Sequence, residues 1–183
     1  MKPGQIIRQF KSRNGHAVLL RVIAESDLSD LLAYANALIA EDTFLLLSGE
    51  PISEDFERTY LTEVLKKVRN DEKIHLVVIV DGKFAGSCEV RRFERRKRHV
   101  GEIGISLAGE YRGEGIGQTC IQTLIDEARK TGLRLLTLTC FSINKRAVSL
   151  YQKCGFRKAG MIPGMYAYKG TFEEETVMYL PLV

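Results

Sequence analysis

The chain has 183 residues, of which 45% are hydrophobic and 27% are charged, and its formal net charge is +4. This length fits one compact domain, because a single core suffices up to roughly 250 to 300 residues, and the composition excludes global disorder. The longest clean apolar run, Leu76 to Val80, is far shorter than the roughly 20 residues that cross a bilayer.

The N-terminus and the cysteines bear on location and redox chemistry. The first eleven residues lack the apolar run of a secretory signal, so we expect a cytoplasmic protein. The four cysteines, which we expect to be reduced and mostly buried, form no CxxC pair of a zinc ribbon or dithiol motif. The three histidines are scattered without metal-ligand spacing, so no metal is expected.

The first third of the chain predicts one strand followed by two helices. Val18 to Ile23 alternates weakly and predicts an opening strand. Ser26 or Asp27 can then cap a helix whose apolar residues recur between Leu28 and Leu38. After a break that contains glycine and proline, apolar residues recur at helical spacing from Phe56 to Val68.

Strands dominate the middle of the chain. The β-branched run Ile74 to Val80, the turn signal Asp81-Gly82 and the segment Phe84 to Phe93 predict a hairpin. A basic segment, Arg91 to Arg98, then leads into a predicted strand, Val100 to Leu107. This segment could contact nucleic acid or an acidic substrate, but a charge run between two strands is more often a solvated turn.

The last third predicts a helix at Gly115 to Thr131, a buried strand at Leu133 to Phe141 and a short helix at Asn144 to Lys153. Ala167 to Lys169 and Thr176 to Leu180 predict a closing hairpin. This order predicts an α/β (α+β) fold in which helices flank a mixed sheet. We expect residues 1–183 to form a single domain.

A glycine-rich turn precedes the longest predicted helix of this last third. Gly113, Gly115 and Gly117 let the backbone approach a ligand closely. The first-turn amides of the helix have no internal partner and favour a bound phosphate. Arg112 can add charge-assisted hydrogen bonds to that phosphate, whereas Glu114 is unfavourable if its side chain faces the phosphate.

Three other interpretations of this turn compete. A P-loop needs Lys followed by Ser or Thr at the helix start, whereas Gln118 and Thr119 follow Gly117. A dinucleotide fingerprint needs GxGxxG, whereas this turn reads GxGxG and the chain is not an alternating βαβ array. The turn could also simply pack a helix against a sheet.

Two motifs in this order resemble the GCN5-related N-acetyltransferase (GNAT) superfamily. The segment Arg112-Gly113-Glu114-Gly115-Ile116-Gly117 matches its cofactor motif of Gln or Arg, two residues, Gly, one residue, then Gly or Ala. The strand Leu135 to Cys140, with Asn144, Ala147 and Leu150 to Phe156, is similar to its second motif. The resemblance covers roughly Ile74 to Leu182 and implies the GNAT fold, a mostly antiparallel twisted sheet with helices on both faces.

The resemblance also implies a reaction, direct transfer of an acetyl group from acetyl-coenzyme A (acetyl-CoA) to an amine. The backbone near Ile105 to Leu107 would pair with the pantetheine arm, and an amide near Leu107 would stabilise the oxyanion. The residues implied to bind the cofactor are Ile105, Ser106, Leu107, Arg112, Gly113, Glu114, Gly115, Ile116, Gly117, Gln118 and Asn144. Asn144 could cap its helix, bind the pantetheine amide, or do both.

Tyr151 and Glu102 are the candidate catalytic residues. Tyr151 matches the family tyrosine that can protonate the leaving thiolate, although a helical tyrosine can also simply fill a core. Glu102 is the candidate general base, and its alternative is a solvent-facing carboxylate paired with the arginine-rich turn. Glu110 and Glu114 are weaker rivals, because carboxylates in loops and at helix starts are often simply solvated.

The acceptor stays open at the level of sequence. A protein N-terminus, a lysine, or a small metabolite such as a polyamine, an amino acid or an antibiotic fits equally well. The main alternative function is a module that senses acetyl-CoA without turnover, against which Tyr151 argues. A third is nucleic-acid binding through Arg91 to Arg98, which should weaken steeply as salt rises. We expect no membrane partner, and a homodimer is a family-based expectation.

Overall fold

One mixed sheet forms the centre of the computed structural model, which describes residues 1–182. The eight strands within these residues are β1 (Ile6–Lys11), β2 (Ala17–Val22), β3 (Lys73–Val80), β4 (Lys83–Arg92), β5 (Val100–Leu107), β6 (Leu135–Phe141), β7 (Arg157–Tyr168) and β8 (Thr171–Pro181). Their order across the sheet is β1-β2-β3-β4-β5-β6-β8-β7. Only β5 and β6 pair in parallel, which confirms the predicted mostly antiparallel sheet.

Helices accompany the sheet on both faces. The four helices of the described residues are α1 (Leu28–Glu41), α2 (Glu54–Arg69), α3 (Ile116–Lys130) and α4 (Lys145–Lys153). Helix α1 packs on β4 and α2 on β3, whereas α3 packs on β3, β4, β5 and α4. Among residues 1–182, no helix is long and apolar enough to span a membrane.

Neighbouring residues of β5 show which helices share a face, because successive side chains of a strand point to opposite faces. Gly104 lies beside Glu89 of β4, and Glu89 binds Lys73, whose ammonium lies over the Tyr60 ring of α2. The next residue, Ile105, faces α3. Helices α1 and α2 therefore lie on one face of the sheet, and α3 and α4 on the other.

The core explains why the helical predictions succeed. The apolar stripe of α3 is almost wholly buried, and its members are Ile116, Cys120, Ile121, Leu124, Ile125 and Ala128. Helix α2 begins where Ser53 accepts a hydrogen bond from the Phe56 amide at 3.3 Å, with acidic residues in its first turn and basic residues in its last. This charge order matches the helix dipole.

Several elements differ from what the sequence predicts. Strand β1 was missed because its side chains are mostly exposed and do not alternate clearly. The closing hairpin is much longer than predicted, since β7 is an exposed edge strand whose register shifts around Pro163, as edge strands tolerate. Asp27 precedes α1 but does not cap it, because its carboxylate binds Arg21 and the Ala24 amide. Leu133 lies between the turn after α3 and the start of β6, and its amide donates a hydrogen bond to the Ala128 carbonyl.

The pairing of β5 with β6 positions the candidate site. Their parallel register runs only from Val100–Leu135 to Glu102–Thr137, although both strands continue beyond it. The far edge of β6 stays paired with β8 as far as Phe141, opposite Glu175. A gap therefore opens between the carboxyl ends of β5 and β6, next to the start of α3.

Candidate functional site

The glycine turn has the backbone geometry that its sequence predicts. Gly113 and Gly115 have φ values of +95° and +87°, in the left-handed region that strongly favours glycine. Gly115 is the residue before α3, and no side chain of the described residues caps that helix. The first amides of α3 therefore carry the positive end of the helix and are free for an anion.

Gly117 has a different role from the other two glycines. It lies inside α3, where a Cβ atom would come 3.2 Å from Leu150 Cδ2 and 3.8 Å from Ile105 Cδ1. Its small size thus allows α4 and β5 to approach α3 closely. For this one glycine, packing is the role that the structure supports.

Arg112 is bound by protein groups on the α1 side of the turn. Its Nε donates to the Leu107 carbonyl at 2.7 Å, and its Nη2 donates to Glu41 Oε2 at 2.8 Å. Its Nη1 donates to the other oxygen of the same carboxylate. The guanidinium thus ties the turn to the ends of α1 and β5, and its predicted contact with a phosphate stays a prediction.

Glu114 turns away from the first amides of α3. Its side chain is buried, and its Oε2 accepts a hydrogen bond from Ser12 Oγ at 2.7 Å. Its carbonyl accepts a hydrogen bond from the Arg13 amide at 2.9 Å. The acidic residue of the motif therefore anchors the turn to the loop between β1 and β2.

An unused donor lies beside the free part of β5. Tyr34 Oη of α1 is buried near Ser106, and no group of the described residues forms a well-aligned hydrogen bond with it. Burial raises the pKa of Tyr34 to about 12, and the Ser106 hydroxyl only partly offsets this. Because a buried hydroxyl without a partner is costly, this donor suits a ligand at the gap.

Tyr151 and Asn144 lie on the opposite side of the gap. Tyr151 is 7% exposed and packs edge-on against Phe156, with its ring centroid 6.2 Å away. Burial raises the pKa of its phenol, and the neighbouring Cys140 and Cys154 raise it further. Asn144 caps α4, since its side-chain oxygen accepts a hydrogen bond from the Ala147 amide at 3.1 Å.

Glu102 forms an ion pair across the strands. Its carboxylate accepts a hydrogen bond from Arg91, the residue directly opposite it on β4, and its side chain is 31% exposed. This ion pair with the arginine-rich segment is the role that the sequence analysis gives as the alternative to catalysis by Glu102. Glu102 also lies at the last paired position of β5, where the gap begins.

A tyrosine–glutamate pair at the far end of β6 was missed by the sequence analysis. Tyr166 of β7 donates a hydrogen bond to Glu175 of β8, whose carboxylate is buried opposite Phe141. The Tyr166 ring stacks on Phe141 at 4.0 Å and 16°. Burial and the Glu175 hydrogen bond raise the pKa of Tyr166 to about 12. The pair was missed because the sequence predicted only the last residues of β7 as a strand, and Tyr166 lies just before them.

The loop after α1 closes the same end of the gap. Phe44 packs against Phe141 and Tyr168, with ring centroids 5.5 and 5.2 Å away. The Tyr168 hydroxyl donates to the Asp42 carbonyl at 3.2 Å. An aromatic wall, defined as Phe44, Phe141, Tyr166 and Tyr168, therefore borders the end of β6.

A second carboxylate, that of the half-buried Glu89, is unsuited to accept a proton. Its Oε2 lies 2.7 Å from Lys73 Nζ and 3.0 Å from His75 Nδ1. Burial alone would raise the pKa of Glu89, but these two partners outweigh it and lower the pKa to about 2. A carboxylate so strongly held in its charged form is a weak base near neutral pH.

Three cations of the basic segment Arg91 to Arg98 contact other groups of the protein. Arg91 binds Glu102, Arg92 donates to the Thr131 carbonyl, and Lys97 lies over the Phe93 ring. Three of its cations are therefore engaged within the protein, as in a structural turn.

Residues 1–182 contain no group of three or more His, Cys, Asp or Glu side chains that could hold a metal ion.

The chain is similar to a family model and to known acetyltransferases. A family model described as "Acetyltransferase (GNAT) family" matches residues 34–156. An uncharacterised N-acetyltransferase of Methanocaldococcus jannaschii is 29% identical over 150 residues, which cover 79% of this chain and 63% of that protein. The [ribosomal protein bS18]-alanine N-acetyltransferase of Escherichia coli is 31% identical over 80 residues, covering 44% and 54%. Both matches span less than two thirds of the relative's length.

A solved structure agrees over nearly the whole fold. An acetyltransferase of the GNAT family from Streptococcus pneumoniae superposes with a TM-score of 0.80 at 28% identity. The superposition covers 90% of this chain and 98% of that one. The likeness therefore includes the first helices as well as the two motifs.

Proposed function

Because the chain belongs to the Acetyltransferase (GNAT) family, we propose that it transfers an acetyl group from acetyl-CoA directly to a primary amine. The observation that carries this proposal is the gap between β5 and β6 beside the uncapped start of α3. Within residues 1–182, the part of β5 beyond Glu102 has no partner strand on its β6 side, and the uncapped start of α3 lies next to it.

The residues around the gap suit the parts of acetyl-CoA. The first amides of α3, behind Gly113 and Gly115, suit its diphosphate. The edge of β5 at Ile105 to Leu107 suits the amides of its extended arm, as a sheet edge accepts an added strand. Tyr34 Oη offers a further donor beside Ser106. When bound, acetyl-CoA supplies an activated thioester to this site.

Tyr151 is the proton donor in this proposal. Its raised pKa keeps the phenol protonated at neutral pH, so its Oη can give a proton to a leaving group. Its neighbour Cys140 belongs to β6, which borders the gap. The Cys140 thiol is a poor nucleophile, because burial raises the pKa of Cys140 to about 11.

Two carboxylates compete to accept the proton of the amine. Glu102 is the candidate from the sequence, but its carboxylate is engaged by Arg91. Glu175 forms no ion pair with any lysine, arginine or histidine of residues 1–182, and it accepts the hydrogen bond of Tyr166. We assign the role to Glu175: Tyr166 Oη takes the amine proton as it passes its own proton to the carboxylate.

The amine would approach on the face that carries Glu102 and the aromatic wall. The Escherichia coli relative is named for an alanine of a ribosomal protein, which supports a polypeptide N-terminus as the acceptor. Small amines are the other acceptor class, and the same assay can compare the two.

The test measures CoA release with a panel of peptides and small amines, alongside calorimetric binding of acetyl-CoA. CoA should be quantified after removal of the protein, since the chain has four free thiols of its own. Release that depends on an amine supports the proposal. Binding without turnover on any amine would instead identify a sensor of acetyl-CoA.

A further inference from the structure

Three residues of the loop between β1 and β2 contact the acidic residue of the glycine turn. Ser12 Oγ donates to Glu114 Oε2 at 2.7 Å, and the Arg13 amide donates to the Glu114 carbonyl at 2.9 Å. His16, the last residue of this loop, has its Nε2 atom 3.9 Å from Glu114 Oε1. The loop therefore determines where the only carboxylate of the turn lies.

The orientation of the His16 ring is fixed from the other side. Its Nδ1 donates to Asp81 Oδ2 at 2.6 Å, and Asp81 Oδ1 accepts a hydrogen bond from the Ala17 amide at 2.9 Å. The Tyr111 ring packs edge-on against the imidazole, with ring centroids 5.8 Å apart. Because Asp81 holds Nδ1, the nitrogen that faces Glu114 is Nε2.

The protonation state of His16 changes what the Glu114 carboxylate meets. A protonated imidazole has a donor on each nitrogen, so it forms a cation between Asp81 and Glu114. A neutral imidazole that keeps its Nδ1 proton for Asp81 presents a lone pair to Glu114 Oε1, which is itself an acceptor. Among residues 1–182, no other cationic side chain forms an ion pair with either carboxylate.

The charges around His16 favour its protonated form. The hydrogen bond to Asp81 raises the pKa of His16 above its ordinary value, partial burial opposes this rise, and the charges of Glu114, Asp81 and Glu110 add to it. Lys83 is the cation on this side of the molecule, and its charge helps to keep the pKa of Asp81 low. The cationic form of His16 is therefore present at low pH and is lost as pH rises through the raised pKa.

We propose that His16 is a positioning residue for the cofactor: when protonated, it holds the Glu114 carboxylate against the β1–β2 loop, away from a diphosphate at the start of α3. This inference rests on the proposed function. When His16 is neutral, the carboxylate loses its countercharge, and its repulsion of the diphosphate weakens binding. His16 lies outside the segment that the family model matches, so this control of the turn comes from a part of the chain beyond the shared motifs.

The test is calorimetric titration of acetyl-CoA into the wild type and His16→Gln at about pH 6 and about pH 9, with folding checked by circular dichroism at both. The loss of affinity between the two pH values should be about fivefold or more larger in the wild type than in His16→Gln. The phosphates of the cofactor titrate alike with both proteins, so the comparison removes their contribution. His99→Gln is the matched control and should behave as the wild type, since His99 is exposed and precedes β5.

Glu114→Gln tests whether His16 acts through the carboxylate. The amide keeps an acceptor for Ser12 but carries no charge, so the additional pH dependence should disappear while acetyl-CoA still binds. Nuclear magnetic resonance of the His16 ring gives an independent readout. Because linkage is reciprocal, bound acetyl-CoA should raise the pKa of His16 in the wild type.

Two results would overturn the proposal: the same pH dependence of affinity in the wild type and His16→Gln, or an additional dependence that persists in Glu114→Gln. The second would mean that His16 acts on the cofactor without Glu114. Neither would affect the proposed function, because acetyl-CoA would still bind. If the folded wild type bound no acetyl-CoA at either pH, the proposed function itself would fail.

Discussion

The two ends of the gap are built in different ways. The proposed cofactor end consists mainly of backbone groups from one short segment, Arg112 to Gln118, at the start of a helix. The proposed acceptor end consists of side chains from distant parts of the chain, with Phe44, Phe141, Tyr166 and Glu175 brought together by three strands and a loop. The first depends on local backbone conformation, and the second depends on strand register.

This difference predicts how the two ends respond to change. A backbone site tolerates most side-chain substitutions but fails when a residue with a Cβ atom is forced into a left-handed conformation. A side-chain site is sensitive to the loss of single polar atoms. Substitutions at the acceptor end and at Tyr151 should therefore alter turnover, whereas those in the turn should alter cofactor affinity.

The largest effect is expected from Tyr151→Phe. Loss of the phenol removes the proton donor, so kcat should fall about 10²- to 10⁴-fold while the Kd for acetyl-CoA stays unchanged. Steady-state kinetics and calorimetry measure the two quantities. Tyr60→Phe is the matched control, because Tyr60 belongs to α2 and its ring, which phenylalanine keeps, makes the contact with Lys73. Turnover of Tyr151→Phe within twofold of the wild type would exclude the assigned role.

Glu175→Gln should have the next largest effect, a loss of about 10²-fold in kcat/KM near neutral pH. Steady-state kinetics measure this loss. Glu102→Gln is the comparison, and a smaller loss of kcat/KM is expected for it. The reverse order of the two losses would return the role to Glu102.

Gly115→Ala should weaken acetyl-CoA binding about tenfold or more by displacing the first amides of α3. It should also cost about 1 to 2 kcal/mol of folding free energy, because alanine is strained at a φ of +87°. Gly132→Ala isolates the strain, since Gly132 has a φ of +76° in open space after α3. Denaturant unfolding should show similar losses of stability in both variants. Equal losses of affinity would mean that the turn does not hold the cofactor.

The smallest effect is expected from Glu41→Gln. Glu41 holds the Arg112 guanidinium, and partly exposed ion pairs of this kind contribute about 0 to 1 kcal/mol. If Arg112 acts as a tether, its release should weaken acetyl-CoA binding by no more than about fivefold. Tighter binding in Glu41→Gln would show instead that Arg112 turns to the phosphate once it is released.

The same contrast explains what could be predicted from sequence. The start of α3, the Asp81-Gly82 hairpin and the buried stripe of α3 were predicted correctly, because each depends on neighbouring residues. Strand β1 and most of β7 were missed, since an exposed edge strand lacks clear alternation of apolar and polar residues. Their pairing is decided by the rest of the sheet.

Contacts between residues that are far apart in the chain could not be predicted from the sequence. The turn motif indicated an anion site, but it could not show that Arg112 binds Glu41 or that Glu114 binds Ser12. In each pair the residues are far apart in the chain and meet only through the fold. Tyr166 and Tyr168 occupy alternate positions of β7, and this pattern would have indicated the acceptor end if the strand had been predicted.

Amide hydrogen exchange with and without acetyl-CoA tests the central claim most directly, because the claim concerns backbone N–H groups at the gap. The account predicts that bound acetyl-CoA slows exchange of amides in Ile105–Leu107 and of Ile116, Gly117 and Gln118 at the start of α3. Saturating acetyl-CoA that leaves both segments exchanging as in the free protein would contradict it.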